Sequence, residues 1–432
     1  MDDSRLGKIF PDIIHPLLSL SCQSPITTPA PHLLAVALSG GADSLALTLL
    51  ADAYARAHGG RIVALTVDHG LRAESAAEAR TVRAWMRTRG IEHQILTPPP
   101  DPAASNLQAS ARQRRYDALA EYCRAQGILH CLVAHHAGDQ RETVALHEAR
   151  GESADGASGI GAMRAYRGVR FLRPLLGVER ADIETYLRAQ HVAWIEDPSN
   201  RNMDFARVRM RQQLADNPAQ AIALSATARH AGEARGKRDD ALADAAMRLV
   251  TLHPAGYAQL PLAGWQQLDA RLAHQLLADL LTTVSGATHR PRVAETTGLA
   301  AALADGMPTR TLQHCEITCH NGTLRIAREH GRVAPPLTLS GEGCVTWDGR
   351  FQVTYHIAKG QALTLKALGH AGRKQGDRSL PLATPSLWHL DVLQFTPHME
   401  TSAFEHQATR VVIGFAPAKP LAAAPFWWLN KQ

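Results

Sequence analysis

The 432-residue chain is short of lysine, cysteine and long apolar runs, and each shortage removes a class of function. Only seven of its 46 basic residues are Lys, and none lies between Lys8 and Lys237. Schiff-base or lysine-nucleophile chemistry is therefore excluded from that stretch. Any triphosphate bound there must be held by backbone N–H groups, Arg and a metal ion. Six cysteines, at 22, 123, 131, 315, 319 and 344, are too few and too scattered for a disulfide framework, so reduced thiols are expected. Cys315 and Cys319 are the only close pair. They fall on an alternating stretch with Asn321-Gly322 at its middle, which reads as a β-hairpin. Four strand residues span ~13 Å, too far for one metal ion to take both sulfurs. No apolar run approaches ~20 residues, so a membrane-spanning helix is not expected. The first twenty residues carry Asp2, Asp3 and Asp12 and lack the basic start and apolar centre of a secretory signal, so a cytoplasmic protein is expected.

What is present is globular and basic. Hydrophobic residues make up 45%, and a net charge of +6 with a pI near 9.1 favours an anionic partner. Apolar runs at 33–38, 62–67, 93–96 and 129–134 read as strands. Helical periodicity covers 44–57, 75–89, 106–126 and 139–149. That alternation predicts an α/β fold with a doubly wound parallel sheet, whose ligand site lies outside the carboxyl ends of the strands. Ser39, Asp68, His135 and His136 fall at those ends. The segment 151–161, with Gly151, Gly156, Gly159 and Gly161, reads as a flexible connection that orders on ligand binding. A short strand near Phe171 and a helix over 178–190 follow. Helices are expected at 219–250, 265–284 and 292–304, then a hairpin at 311–327 and a mainly β terminal part.

Residues 39–44 read Ser-Gly-Gly-Ala-Asp-Ser between a strand and a helix. The glycines allow a tight turn and close approach to a ligand, and the helix start presents N–H donors to an anion. No Lys follows them, so the nucleotide loop G-x-x-x-x-G-K-[ST] is absent. On the hexapeptide alone, a helix cap behind a glycine turn is an equal reading.

Further blocks come in a fixed order: 67–72 (Val-Asp-His-Gly-Leu-Arg), Asn106 to Gln108 with Arg112, Arg115 and Tyr116, His135-His136 with Asp139, Gln140, Glu142 and Thr143, Arg150-Gly151, and 194–200 (Trp-Ile-Glu-Asp-Pro-Ser-Asn). With the hexapeptide, over roughly residues 33–211, they resemble the tRNA(Ile)-lysidine synthetases of the PP-loop ATP pyrophosphatase superfamily. The resemblance implies an adenine nucleotide α-hydrolase-like fold and a ligase that joins free L-lysine to C2 of the wobble cytidine of an isoleucine tRNA with a CAU anticodon. The cytidine would first be adenylated, with release of pyrophosphate and then AMP. ATP is the implied co-substrate and Mg²⁺ the implied cofactor; a homodimer is left open. It also implies a domain order: 1–31 an N-terminal extension, 32–214 the catalytic domain, 215–330 a mainly helical tRNA-binding domain and 331–432 a β-rich tRNA-binding domain.

By the same resemblance Ser39, Gly40, Gly41, Ala42, Asp43 and Ser44 hold ATP, with Asp43 near the reacting phosphates through Mg²⁺. Asp68 stands either at the ribose or adenine edge or simply in solvent, and His69 and Arg72 follow it. Arg112 and Arg115, three apart on one helix, brace a transferred phosphoryl group or the tRNA backbone, or are merely solvated; Arg114 points elsewhere. Asp139 and Glu142 supply counter-charge for the lysine ammonium, and His135 assists proton transfer. A zinc site from His135, Asp139 and Glu142 is the weaker alternative. Arg207, Arg209 and Arg211 form a basic stripe suited to tRNA phosphates. Val208 stands where the family usually has Asn. In the second half, Arg235, Arg290 and Arg373 are among the candidate phosphate contacts.

Two rival functions remain. A tRNA 2-thiolating PP-loop enzyme needs paired or persulfide cysteines, and Cys123 and Cys131, expected on a helix and a strand, argue against it. A non-catalytic ATP- or RNA-binding module leaves Asp139, Glu142 and Arg112 without a role.

Overall fold

The computed structural model describes residues 5–19, 33–68, 75–98, 107–151, 156–196, 203–204, 206–304, 306, 309–398 and 402–421. His69, Arg72, Asn106 and residues 197–200 lie outside them, as does the side chain of Gln108. The chain divides into two compact units, the first holding the described residues up to Lys237 and the second those from Arg238.

The first unit is built on strands β1 (Leu33–Ala37), β2 (Arg61–Val67), β3 (Glu92–Leu96), β4 (His130–Leu132), β5 (Met163–Tyr166) and β6 (Val169–Leu172), in the order β3-β2-β1-β4-β6-β5. β1 pairs in parallel with β2 on one side and β4 on the other. β6 continues in parallel, but β5 folds back antiparallel at the edge, so the sheet is mixed rather than wholly parallel. Gly168, with φ +79°, makes the turn that reverses the chain there.

Period-two alternation sends successive residues of β1 to opposite faces. Leu34 and Val36 enter a core with α2 (Ala42–Ala57), α3 (Ser75–Thr88) and α6 (Arg180–Ala189), whereas Ala35 enters a second core with α4 (Leu107–Ala125). Helix α1 (Arg5–Ser19) lies within the stretch expected as an extension, yet Leu6, Phe10, Ile14, Leu17 and Leu18 pack into the first of these cores. The helical stripe of apolar residues leaves α1 no stable place outside it. Phe10 is only 1% exposed, so Phe10→Ala is expected to cost about 3–5 kcal/mol in a denaturant melt of the whole protein.

Helix α5 (Ala137–Ala149) packs with α7 (Ala206–Asp216) and α8 (Pro218–Leu249) through Val144, Ala145, Leu214, Leu224 and Ala228. Residues 156–161, expected as part of a flexible connection, are tied down. Gln140 holds the Ile160 backbone through both its amide atoms (Nε2 to O 2.7 Å, N–H to Oε1 2.6 Å), and Arg173 donates to the Gly161 carbonyl (2.7 Å). Buried Ser158 accepts from Arg235 Nη1 at 3.1 Å, so that arginine is engaged within the protein.

The second unit has a five-stranded antiparallel sheet, β7 (Thr251–His253), β8 (Tyr257–Pro261), β9 (Thr309–Leu312), β10 (Cys315–His320) and β11 (Thr323–Arg328), in the order β7-β8-β11-β10-β9. Helices α9 (Ala270–Ser285) and α10 (Val293–Ala304) share its core, so the stretch expected to be mainly helical is mixed α and β. Asn321 and Gly322, at φ +47° and +73°, form the two-residue turn between β10 and β11. Two four-stranded antiparallel sheets follow between residues 337 and 415 around a core that includes Trp347, Phe351 and Leu387.

Candidate active site

A cleft of about 820 Å³ opens at the carboxyl edge of the parallel strands. It is lined by Ser39, Gly41, Ala42, Asp43 and Ser44 from the glycine turn, Asp68 after β2, Arg112, Arg115 and Tyr116 of α4, His135, His136 and Asp139 at the start of α5, Arg180 of α6, and Arg207 and Arg211 of α7. Parallel strands aim their carboxyl ends, and the turns that follow them, at one place.

The turn is braced from within. Ser44 Oγ accepts from the Ser39 N–H at 3.1 Å, lies 3.0 Å from Ser39 Oγ and donates to the Gly41 carbonyl at 3.1 Å. Gly40 has φ +88°, and a Cβ there would stand 2.8 Å from Val82 Cγ2 and 3.1 Å from Ile195 Cδ1. Only glycine fits. The Ile195 N–H donates to the Gly40 carbonyl at 3.0 Å, so the Trp194–Glu196 segment closes against the turn. The first N–H groups of α2 have no intrahelical acceptor and face the anion position.

Asp43 leads α2. Burial pushes its carboxyl above the ordinary value of 3.8, with His136 and Arg180 working the other way, and its Oδ1 is buried without a hydrogen-bond partner among the described residues. An unpartnered, hard carboxylate oxygen at a phosphate cradle suits a magnesium ion. Asp68 Oδ1 accepts from Ser75 Oγ at 2.8 Å.

On α4, the Arg112 guanidinium lies 5.3 Å from the Tyr116 ring centroid. Arg115 is held less firmly charged than usual by burial and by Arg112 beside it. Arg114 does not line the cleft and donates to the Pro98 carbonyl at 3.1 Å.

His136 caps α5: its backbone N–H donates to Asp139 Oδ2 (2.9 Å) and its Nδ1 accepts from the Gly138 N–H (3.0 Å). His135 is half-buried with its Nδ1 enclosed, and its pKa is pushed down to about 3, by desolvation first and then by Arg173. A ring that stays neutral near pH 7 keeps a lone pair free to accept a hydrogen bond. Asp139 titrates below its ordinary value despite burial, because His136 and His135 face it. Glu142 does not line the cleft. It is 2% exposed one turn further along α5, with Oε1 accepting from Arg211 Nε at 2.6 Å. Arg207 and Arg211, four apart on α7, face the cleft, while Arg209 on the other side donates to the carbonyls of Met203 and Asp204. The expected stripe of three is therefore two and one.

Comparison with known proteins decides the family. A PP-loop domain model matches residues 18–217. The tRNA(Ile)-lysidine synthase of Mesorhizobium japonicum is 35% identical over 362 residues, covering 80% of this chain and 77% of that protein. The chain belongs to the tRNA(Ile)-lysidine synthase family. The relative from Ruegeria pomeroyi is 33% identical over 83% of this chain and 86% of its own length, and that from Wolbachia pipientis 32% over 74% and 76%. The PP-loop domain implies the use of ATP.

In this member of the lysidine synthase family two cleft residues, Arg180 and His136, and the buried Arg173 behind the cleft have no role marked in the sequence. Arg180 contributes charge beside Asp43, Arg173 does so behind His135, and His136 stands between two carboxylates. No local spacing marks the two arginines, which reach the site only through the fold. Among the described residues no group of three or more His, Cys, Asp or Glu side chains is placed to hold a metal ion, so the zinc alternative is not met. Cys123 and Cys131, on a helix and a strand as expected, meet through a hydrogen bond that, with burial, pushes the Cys131 thiol well up; neither lines the cleft. Among the second-half candidates, Arg290 pairs with Asp279 and Arg373 donates to the Leu380 carbonyl at 2.6 Å. Among the described residues no helix is long and apolar enough to cross a membrane.

Burial also sets an acid limit. His93 and His130 are pushed down to about 4 and His135 to about 3, each from 6.5 and each chiefly by desolvation. Between those values and 6.5 the unfolded chain binds protons that the folded one does not, so stability falls as pH falls through that window. A calorimetric melting temperature that declines steadily from pH 6.5 to pH 4.5 is expected.

Proposed function

We propose that the protein forms lysidine: it ligates free lysine to C2 of the wobble cytidine of a CAU-anticodon isoleucine tRNA at the expense of ATP, in the cytoplasm. The observation that carries this is one cleft lined both by the phosphate cradle at 39–44 and by the carboxylate of Asp139, with Arg112 and Arg115 also on its wall. A phosphate site and an acidic amine site side by side suit the transfer of AMP followed by its displacement by an amine.

In this reading the cytidine O2 attacks the α-phosphorus of ATP, the bond to the bridging oxygen breaks and pyrophosphate leaves. The lysine ammonium then gives up a proton to solvent, the uncharged ε-amine bonds to C2, the C2–O bond breaks with its electron pair on oxygen, and AMP departs. Ser39, Ser44 and the first N–H groups of α2 hold the phosphates, and Arg112 and Arg115 steady the charge that builds on them. Asp43 would hold Mg²⁺, whose charge offsets that of the triphosphate. Asp139, ionised at neutral pH, receives the lysine ammonium, and Glu142 lies one turn behind it. Arg207 and Arg211 on α7 meet the tRNA backbone at the rim. A splayed wobble base from an anticodon loop reaches such a cleft more readily than one in a duplex.

ATP labelled at the α-phosphate tests the reaction class. AMP and pyrophosphate should form in equal amounts and only when tRNA is present. Release of ADP, or AMP formation indifferent to tRNA, would refute the proposal.

A further inference from the structure

Resting on the lysidine reading, we infer that His136 is the positioning residue that ties the ATP half of the cleft to the lysine half, by presenting one ring N–H to the carboxylates of both.

The tautomer follows from the helix cap. Nδ1 accepts from the Gly138 N–H at 3.0 Å, so it carries the lone pair and the ring proton resides on Nε2. Nε2 stands 3.8 Å from Asp43 Oδ2 and 3.7 Å from Asp139 Oδ2. Both separations exceed a hydrogen bond, so the ring acts on the two acids by near-equal electrostatic attraction rather than by bonding to either. Asp43 begins α2 and Asp139 begins α5, so a single imidazole relates the openings of two helices. The oxygen of each acid nearest the ring is Oδ2, and the other oxygen of Asp43 is Oδ1. That is the oxygen with no hydrogen-bond partner among the described residues.

The ring itself is clamped. Its side chain is 6% exposed, and a Cβ on Gly138 would stand 2.6 Å from Cε1 and 3.0 Å from Nδ1. Glycine at 138 is poor helix chemistry, but any Cβ there would press on the imidazole. Two acids this close to each other, one for the nucleotide and one for the amine, need a donor between them to keep their separate orientations. His136 supplies it.

Asn at 136 can reproduce the Nδ1 acceptor and preserve the cap but has nothing at the Nε2 position, while Gln can place an amide N–H there. Steady-state kinetics of labelled lysine incorporation into tRNA, by the full-length protein, separate the roles. His136→Asn should lower kcat and raise KM for both ATP and lysine, with kcat/KM for lysine down roughly 10- to 100-fold and the melting temperature unchanged. His136→Gln should recover most of that loss. Gly138→Ala should improve the helix yet reproduce the kinetics of His136→Asn by displacing the ring. Wild-type kinetics in His136→Asn, or equal damage in the Gln and Asn variants, would overturn the inference. Failure of the wild-type protein to incorporate lysine would instead refute the lysidine reading.

Discussion

Asp43→Asn is expected to slow lysine incorporation at least about 100-fold while leaving the protein as stable as before, or more so, at pH 7. The loss arises because the amide cannot offset phosphate charge through a cation. The stability follows from the direction of the pKa shift. Burial raises the Asp43 carboxyl above 3.8, so its folded form favours the protonated state. That contribution is present in acid and disappears as pH rises past 3.8 and through the raised value, leaving a half-buried charge that the fold tolerates at a cost. Asn has the same shape and no charge to bury. Rate measurements under saturating ATP, with calorimetry on the same preparation, check both halves. A variant that kept wild-type turnover would remove Asp43 from the reaction.

The second large effect concerns the Glu142–Arg211 pair. Glu142 has a side chain only 3% exposed, and Arg211, 38% exposed, supplies its ion-pair partner at 2.6 Å. Arg211→Met strands a buried carboxylate, and the expected penalty is about 3 kcal/mol, at the lower end for such pairs because the arginine is partly in water. Adding Glu142→Gln should recover most of the stability, giving a coupling energy opposite in sign to the single loss. The double variant should still lack the Arg211 charge at the rim, with KM for tRNA raised. Simple additivity of the two destabilisations in urea melts would show that the pair is not the unit described.

The strands and helices that build the cleft were legible because their patterns are local. The alternation in β1, with Leu34 and Val36 to one core and Ala35 to the other, is a period of two in the sequence itself. Helix α1 was less visible, since Pro11 and Pro16 interrupt a stripe that nevertheless runs through Leu6, Phe10, Ile14 and Leu17. Strands β7 and β8 are short and lie between strong helical patterns, where three to five residues carry little periodic signal. Within the site, the phosphate cradle and the acids of α5 could be named from motifs. What could not be named depends on side chains far apart in sequence. Arg211 meets Glu142, a partner 69 residues away, and Arg180 reaches Asp43 only because α6 and α2 share a core. The division of labour between His135 and His136 depends on burial and on one helix cap, neither of which adjacent histidines reveal.

The most direct measurement supplies the protein with ATP, labelled free lysine and two isoleucine tRNA transcripts that differ only in having cytidine or uridine at the wobble position. Label should enter the cytidine transcript alone, in step with AMP release, and vanish with Asp139→Asn. Equal labelling of both transcripts, or AMP release with no lysine joined to RNA, would contradict the assignment of the cleft to an adenylated cytidine and a lysine amine.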